Sequence, residues 1–220
     1  MLFKKIQITF FSTIAFAAPF IPSNTISRRA MTYVEQVGGI VPDALTSCAS
    51  APFPAECATG PQAAKFIADA IGGQGFYSPE IGALIALMGF ETENFQYNIN
   101  HFPGRPGQGT RNMQSAEYNY QYARSFPELS APLAAITTST ATVGLSPDVL
   151  NKIMGLVAVD KYSWGSAGWF LKNVCPASVR TALQTGTQDG WHAYMECVGV
   201  NSTNPGRLAY WTRAKTTLGF

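Results

Sequence analysis

Charge is scarce in this chain. Only 13% of its residues are Asp, Glu, Lys or Arg, against about 25% in an average soluble domain. Its surface must therefore draw polarity from Asn, Gln, Ser, Thr, Tyr and Gly. Histidine is scarcer still, with only His101 and His192. The cysteines show no C-x-x-C spacing, so the usual pattern of a zinc site is missing. Neither a metal nor an organic cofactor is expected. The Gly-x-Ser-x-Gly turn of a serine hydrolase is absent. Gly72-Gly73-Gln74-Gly75 is a turn rather than a nucleotide loop, because nothing places it between a strand and a helix. Long apolar runs are missing too. The stretch from Ile6 to Phe16 is broken by Gln7, Thr9, Ser12 and Thr13, and is too short to span a bilayer comfortably.

That stretch has another use. Lys4 and Lys5 precede it and Ala15-Phe16-Ala17 follows, the order of a signal peptide over residues 1–17. Residues 18–29 are rich in Pro, Ser and Asn and end in Arg28-Arg29. They form either a pro-segment cut at the dibasic pair or an ordinary N-terminal tail. One domain, residues 30–220, remains. The chain has 15 Lys and Arg against 13 Asp and Glu; losing Lys4, Lys5, Arg28 and Arg29 leaves 11 against 13, a net −2. The basicity therefore belongs to the targeting segment. Neither nucleic acid nor, after processing, a membrane is expected as partner. The mature chain is expected to be secreted and monomeric. An even set of cysteines behind a signal peptide implies disulfides. Of three possible pairings, the local ones, Cys48–Cys57 and Cys175–Cys197, are favoured. Asn201-Ser202-Thr203 is a glycosylation sequon, consistent with export.

Helical spacing dominates the rest. Ala63, Phe66, Ile67, Ala70 and Ile71 form one stripe, stopped by Gly72-Gly73. Ser78-Pro79-Glu80 opens a second, with Ser as N-cap, Pro at the first position and an acid facing the dipole. Ser146-Pro147-Asp148 repeats that device for a helix predicted to end near Asp160. Further helices are expected over about 166–174, 177–184, 191–198 and 205–218. The segment from Asn94 to Gln114 lacks a helical period but is rich in Gly, Pro, Asn and aromatic residues. Irregular segments of this length are usually functional or disordered, and the aromatic content argues for function.

Glu91 continues the stripe of Ile81, Leu84, Ile85 and Met88, at the expected C-terminus of its helix. Burial, apolar neighbours and the negative helix end would all oppose its ionisation. A carboxylic acid that keeps its proton near neutral pH can protonate a glycosidic oxygen. The opposing reading is a helix that stops earlier, leaving Glu91 in solvent. The stretch Ala83-Leu84-Ile85-Ala86-Leu87-Met88-Gly89-Phe90-Glu91-Thr92-Glu93-Asn94-Phe95 resembles the first motif of goose-type lysozymes and soluble lytic transglycosylases. In those proteins an apolar helix ends in the catalytic Glu, followed by Ser, a variable residue and an aromatic. Gly109-Thr110-Arg111-Asn112-Met113-Gln114 is similar to their second motif, a glycine-led turn that ends in Met-Gln and lines the sugar cleft. The resemblance spans about 81–114, and extends to secreted fungal proteins of the lysozyme-like superfamily. Thr92 replaces the usual Ser, Asn112 an apolar residue, and the insert over 97–108 is unlike the bacterial pattern, so substrate preference does not carry over.

The resemblance implies a mainly α, single lysozyme-like domain, in an α+β superfamily but with few or no strands. It implies Glu91 as general acid and Met113 and Gln114 as cleft residues, with Thr92 and Arg111 beside them in the motifs. From the loop, Tyr97, Asn98, Asn100, His101, Arg105 and Gln108 offer ring faces and donors for sugars. Asp160 is the candidate second carboxylate, or else a helix-end residue paired with Lys161; Glu93, at a variable position of the motif, is a further option. Trp164 is the candidate cleft indole, because Trp169, Trp191 and Trp211 sit in apolar helical stripes. The expected function is glycoside hydrolysis at the β-1,4 bonds of peptidoglycan. The alternatives are a chitinase or chitosanase, a lytic transglycosylase, or a secreted carbohydrate-binding protein without turnover.

Overall fold

The computed structural model describes residues 30–220; the expected signal peptide and pro-segment lie outside the described residues. The chain is mainly α. Its helices are α1 (Tyr33–Ile40), α2 (Gly60–Ile71), α3 (Ser78–Glu91), α4 (Ala116–Arg124), α5 (Ser130–Ile136), α6 (Pro147–Ala158), α7 (Asp160–Ser163), α8 (Ser166–Asn173), α9 (Ala177–Gln184), α10 (Gln188–Val198) and α11 (Pro205–Leu218). No strand forms among the described residues; Gly109 makes isolated bridges to Ile99 and Gln114.

Local chemistry sets most boundaries. Thr59 caps α2 in a capping box with Gln62, and Gly72 ends it. Ser146 caps α6 by accepting from the Val149 N–H. At α3 the cap lies one residue earlier than the Ser-Pro-Glu pattern predicts. Tyr77 takes the N-cap position because Glu80 reaches back to accept its backbone N–H at 2.9 Å. Glu80 itself is buried and paired with Arg180 of α9 at 2.7 Å.

Helix α3 is the spine. Ala83 to Gly89 are all buried, so it lies inside the core rather than on one face of it. Glycines let α11 come close. A Cβ at Gly82 would sit 3.1 Å from Leu218 and 3.2 Å from Ala214; one at Gly89 would sit 2.7 Å from Val41 and 3.0 Å from Tyr210. The main core gathers α1, α2, α3, α8, α10 and α11 around Trp164, Trp191 and Trp211, all fully buried. A smaller cluster, with Tyr120, Leu133, Ile153 and Tyr162, joins α4 to α7. Trp169, half-buried, packs against both. The disulfides are Cys48–Cys57 and Cys175–Cys197, the two favoured pairs.

Candidate active site

Glu91 is the last residue of α3 and the point where that buried helix meets the surface. Thr92 stops the helix: its hydroxyl donates to the Met88 carbonyl at 2.6 Å and accepts from the Phe95 N–H at 3.0 Å. Glu93, Asn94 and Phe95 then adopt φ of 47°, 62° and 70°. The other non-glycine residues with positive φ among those described are Thr110 and Met113. Backbone in this region is disfavoured for L-residues and concentrates at functional sites. Here all of it falls in the two segments singled out above.

One cation fastens those segments together. The buried Arg111 guanidinium donates to the carbonyls of Phe95 (3.2 Å), Tyr97 (3.0 Å) and Glu56 (2.8 Å), and lies 4.2 Å over the Trp164 ring. Burial lowers its pKa to about 10, against the pull of Asp160 at 3.5 Å. Glu56 holds the adjoining wall from behind, accepting from the N–H groups of Asn98 (3.0 Å) and Ile99 (3.1 Å) and bonding His101 Nε2 at 2.7 Å. Phe53, in the same disulfide loop, stacks on the His101 ring at 3.6 Å.

Three hollows meet at Glu91. The first, about 190 Å³, is lined by Glu91, Glu93, Tyr97, His101, Gln108 and Met113 among others. The second, about 270 Å³, adds Arg105, Gln114 and Tyr118; the third, about 530 Å³, runs past Glu93, Asn94 and Tyr210. All three share Glu91, and their linings mix polar and apolar groups; together they are the groove around this carboxyl.

The Glu91 side chain is only 15% exposed. Its Oε1 accepts both Arg207 Nε (3.1 Å) and Nη2 (2.7 Å). No described group hydrogen-bonds Oε2. Burial raises the Glu91 pKa above the ordinary value of 4.5, and outweighs the hydrogen bond and charge of Arg207, which lower it.

No family model matches this chain, and no solved structure gives a match. A stretch of 160 residues, 72% of the chain, is 48% identical to part of a bifunctional dioxygenase (DOX)-epoxy alcohol synthase (EAS) of the fungus Fusarium oxysporum (strain Fo5176). The chain spans 12% of that protein's length, and the activities in its name are those of the whole fungal protein. Among the described residues no group of three or more His, Cys, Asp or Glu is placed to hold a metal ion, and all four cysteines are in disulfides.

The structure gathers Glu91, Tyr97, His101, Met113 and Gln114 around one groove, with Asn100, Arg105 and Gln108. It places five other candidates elsewhere. Asp160 lines none of the three hollows. It opens α7 rather than closing α6, and binds Trp164 Nε1 at 2.8 Å. Trp164 is core, packed between Phe66 and Phe95. Thr92 is buried as the helix stop, and Arg111 as the clasp between loops. Asn98 turns inward, its amide donating to the Ala158 carbonyl at 2.9 Å. Arg207 carries no local signal in the sequence, because its partner is 116 residues away. Glu56 is likewise absent from the expected set, although its place beside Cys57 in a disulfide loop is a usable signal.

Proposed function

We propose that the chain is a secreted glycosidase of lysozyme-like type, cleaving the β-1,4 linkages of an aminosugar polymer with Glu91 as general acid. The observation that carries this reading is Glu91 itself: a largely buried carboxyl that lines three hollows, its pKa raised by burial, with one oxygen bound by Arg207 and the other without a described hydrogen-bond partner. In the reaction the Glu91 proton passes to the glycosidic oxygen, the bond from that oxygen to the anomeric carbon breaks, and water adds at that carbon, losing a proton to the carboxylate that activates it while solvent reprotonates Glu91. A groove of amides, ring faces and few charges suits a hydroxyl-rich chain. Glu93, which shares two hollows with Glu91, replaces Asp160 as the carboxylate available to activate water. The substrate proposed first is the alternating N-acetylmuramic acid and N-acetylglucosamine polymer of bacterial walls. Two disulfides support an oxidising compartment, and no helix among the described residues is long and apolar enough to cross a membrane.

One observation favours a second reading, a sugar-binding protein without turnover: the Arg207 ion pair stabilises the ionised form of Glu91. The test is clearing of a suspension of bacterial walls by purified protein. Glu91→Gln is expected to keep its circular dichroism and lose roughly 10²- to 10⁴-fold in rate, the range for losing one acid–base group. Wall binding with no clearing by either protein favours the second reading. Clearing that persists in Glu91→Gln removes Glu91 from the chemistry.

A further inference from the structure

Arg207 belongs to a short unit built to hold it still. Asn204 caps α11 by accepting from the Arg207 N–H at 3.2 Å, and Pro205 fixes the first turn. Gly206 lets that turn settle on Phe90, since a Cβ there would lie 2.7 Å from the ring. The guanidinium then lies 4.4 Å over the same ring and directs two N–H groups at a single oxygen of Glu91. Other titratable groups share the hollows that Glu91 lines or, for Tyr194, interact with its charge. They are Tyr118 from α4, Tyr194 from α10, Tyr210 from α11, Glu93, and Tyr97, His101 and Arg105 from the loop. None of them hydrogen-bonds it.

We propose that Arg207 is a positioning residue for Glu91: by occupying Oε1 it leaves Oε2 to carry the mobile proton toward the groove, and its charge sets the pH at which that proton leaves. The inference rests on Glu91 being the working acid of the reading above. An isolated buried carboxyl gives up a proton reluctantly and recovers it readily; a fixed cation on its far oxygen makes departure easier. Such a group can give its proton to the glycosidic oxygen and regain one from solvent before the next turnover.

The experiment is a ¹³C titration of the protein with labelled Glu carboxyls, the Glu91 resonance being the one absent from Glu91→Gln. Removing an opposite charge at this distance is expected to move the midpoint up by roughly 1–3 pH units. Arg207→Met should show that rise. Arg207→Gln, which keeps amide donors but no charge, should show it as well, and Arg207→Lys should reverse most of it. The fall of wall-clearing activity at high pH should move in the same direction. An unmoved midpoint in folded Arg207→Met or Arg207→Gln overturns the inference. A moved midpoint in a protein whose parent cleaves no polymer removes the glycosidase reading and the positioning role with it, leaving only a charge coupling between Arg207 and Glu91; cleavage with an unmoved midpoint removes the inference alone.

Discussion

At the scale of single residues, Glu91 is caught between two opposed effects, and their balance reaches stability as well as chemistry. Its pKa lies higher in the folded chain than the ordinary 4.5 of the unfolded one. The sign follows by linkage: the benefit of the protonated form is complete below about 4.5 and is lost as pH rises through the folded value. At pH 7 ionisation of Glu91 therefore works against the fold. Glu91→Gln, permanently neutral, is expected to melt at a higher temperature than the parent at pH 7, with the gap closing as pH falls toward 4.5. Scanning calorimetry at several pH values checks this. A lower melting temperature for the variant at pH 7 would show that the pull of Arg207 exceeds the penalty of burial. The placing of Glu91 was legible because an apolar stripe, a helix end and a carboxyl coincide within a few residues. The identity of its partner was not, because an ion pair between α3 and α11 leaves no local pattern in either segment.

At the scale of elements, the groove wall is held from outside itself. Four of its residues, Tyr97, Ile99, Asn100 and His101, lie in a loop whose backbone is fixed by Glu56 and whose ring is covered by Phe53. Both come from the loop closed by Cys48–Cys57. Glu56→Ala strips an acceptor from two backbone N–H groups and an imidazole. A fully buried unpaired donor costs about 1–3 kcal/mol. These donors are half-buried and water can replace part of the bonding, so urea unfolding should report a loss at the low end of that range. The imidazole resonances of His101 should broaden in the folded variant; if stability and line width both stay put, the loop stands without its brace. The helices most legible in the sequence were those with a cap and an apolar stripe, α2, α3, α6 and α11. Helix α4 was not expected: its Ala116–Arg124 sequence is polar and tyrosine-rich, and packing of Tyr120 and Tyr122 into the smaller core fixes it instead. The pattern opened by Ser146-Pro147-Asp148 points to a helix ending at Asp160, but Val159 is extended and breaks the helix just before it. That residue turns Asp160 from a helix terminus into a helix start.

At the scale of the whole molecule, the mainly α class and both disulfides could be read from the sequence, since periodicity and cysteine spacing act locally. The division of the core into two clusters could not, because it depends on which stripes face each other. The indoles show the same limit. Trp164 sits in a glycine- and serine-rich stretch that suggests a surface, yet it fills the centre of the main cluster. Trp169 sits in an apolar stripe that suggests a centre, yet it is left at the seam between clusters. This reversal gives the protein a built-in optical probe. With Trp164, Trp191 and Trp211 sealed from water, an ionic quencher such as iodide should reach a single emitter in the native state. Quenching plots should then curve to a plateau, leaving most emission protected, and straighten in denaturant when the remaining indoles become accessible. Replacing Trp169 with Phe should abolish the native quenchable fraction. Any loosening of the junction between the two clusters could then be followed in unlabelled protein, by light alone.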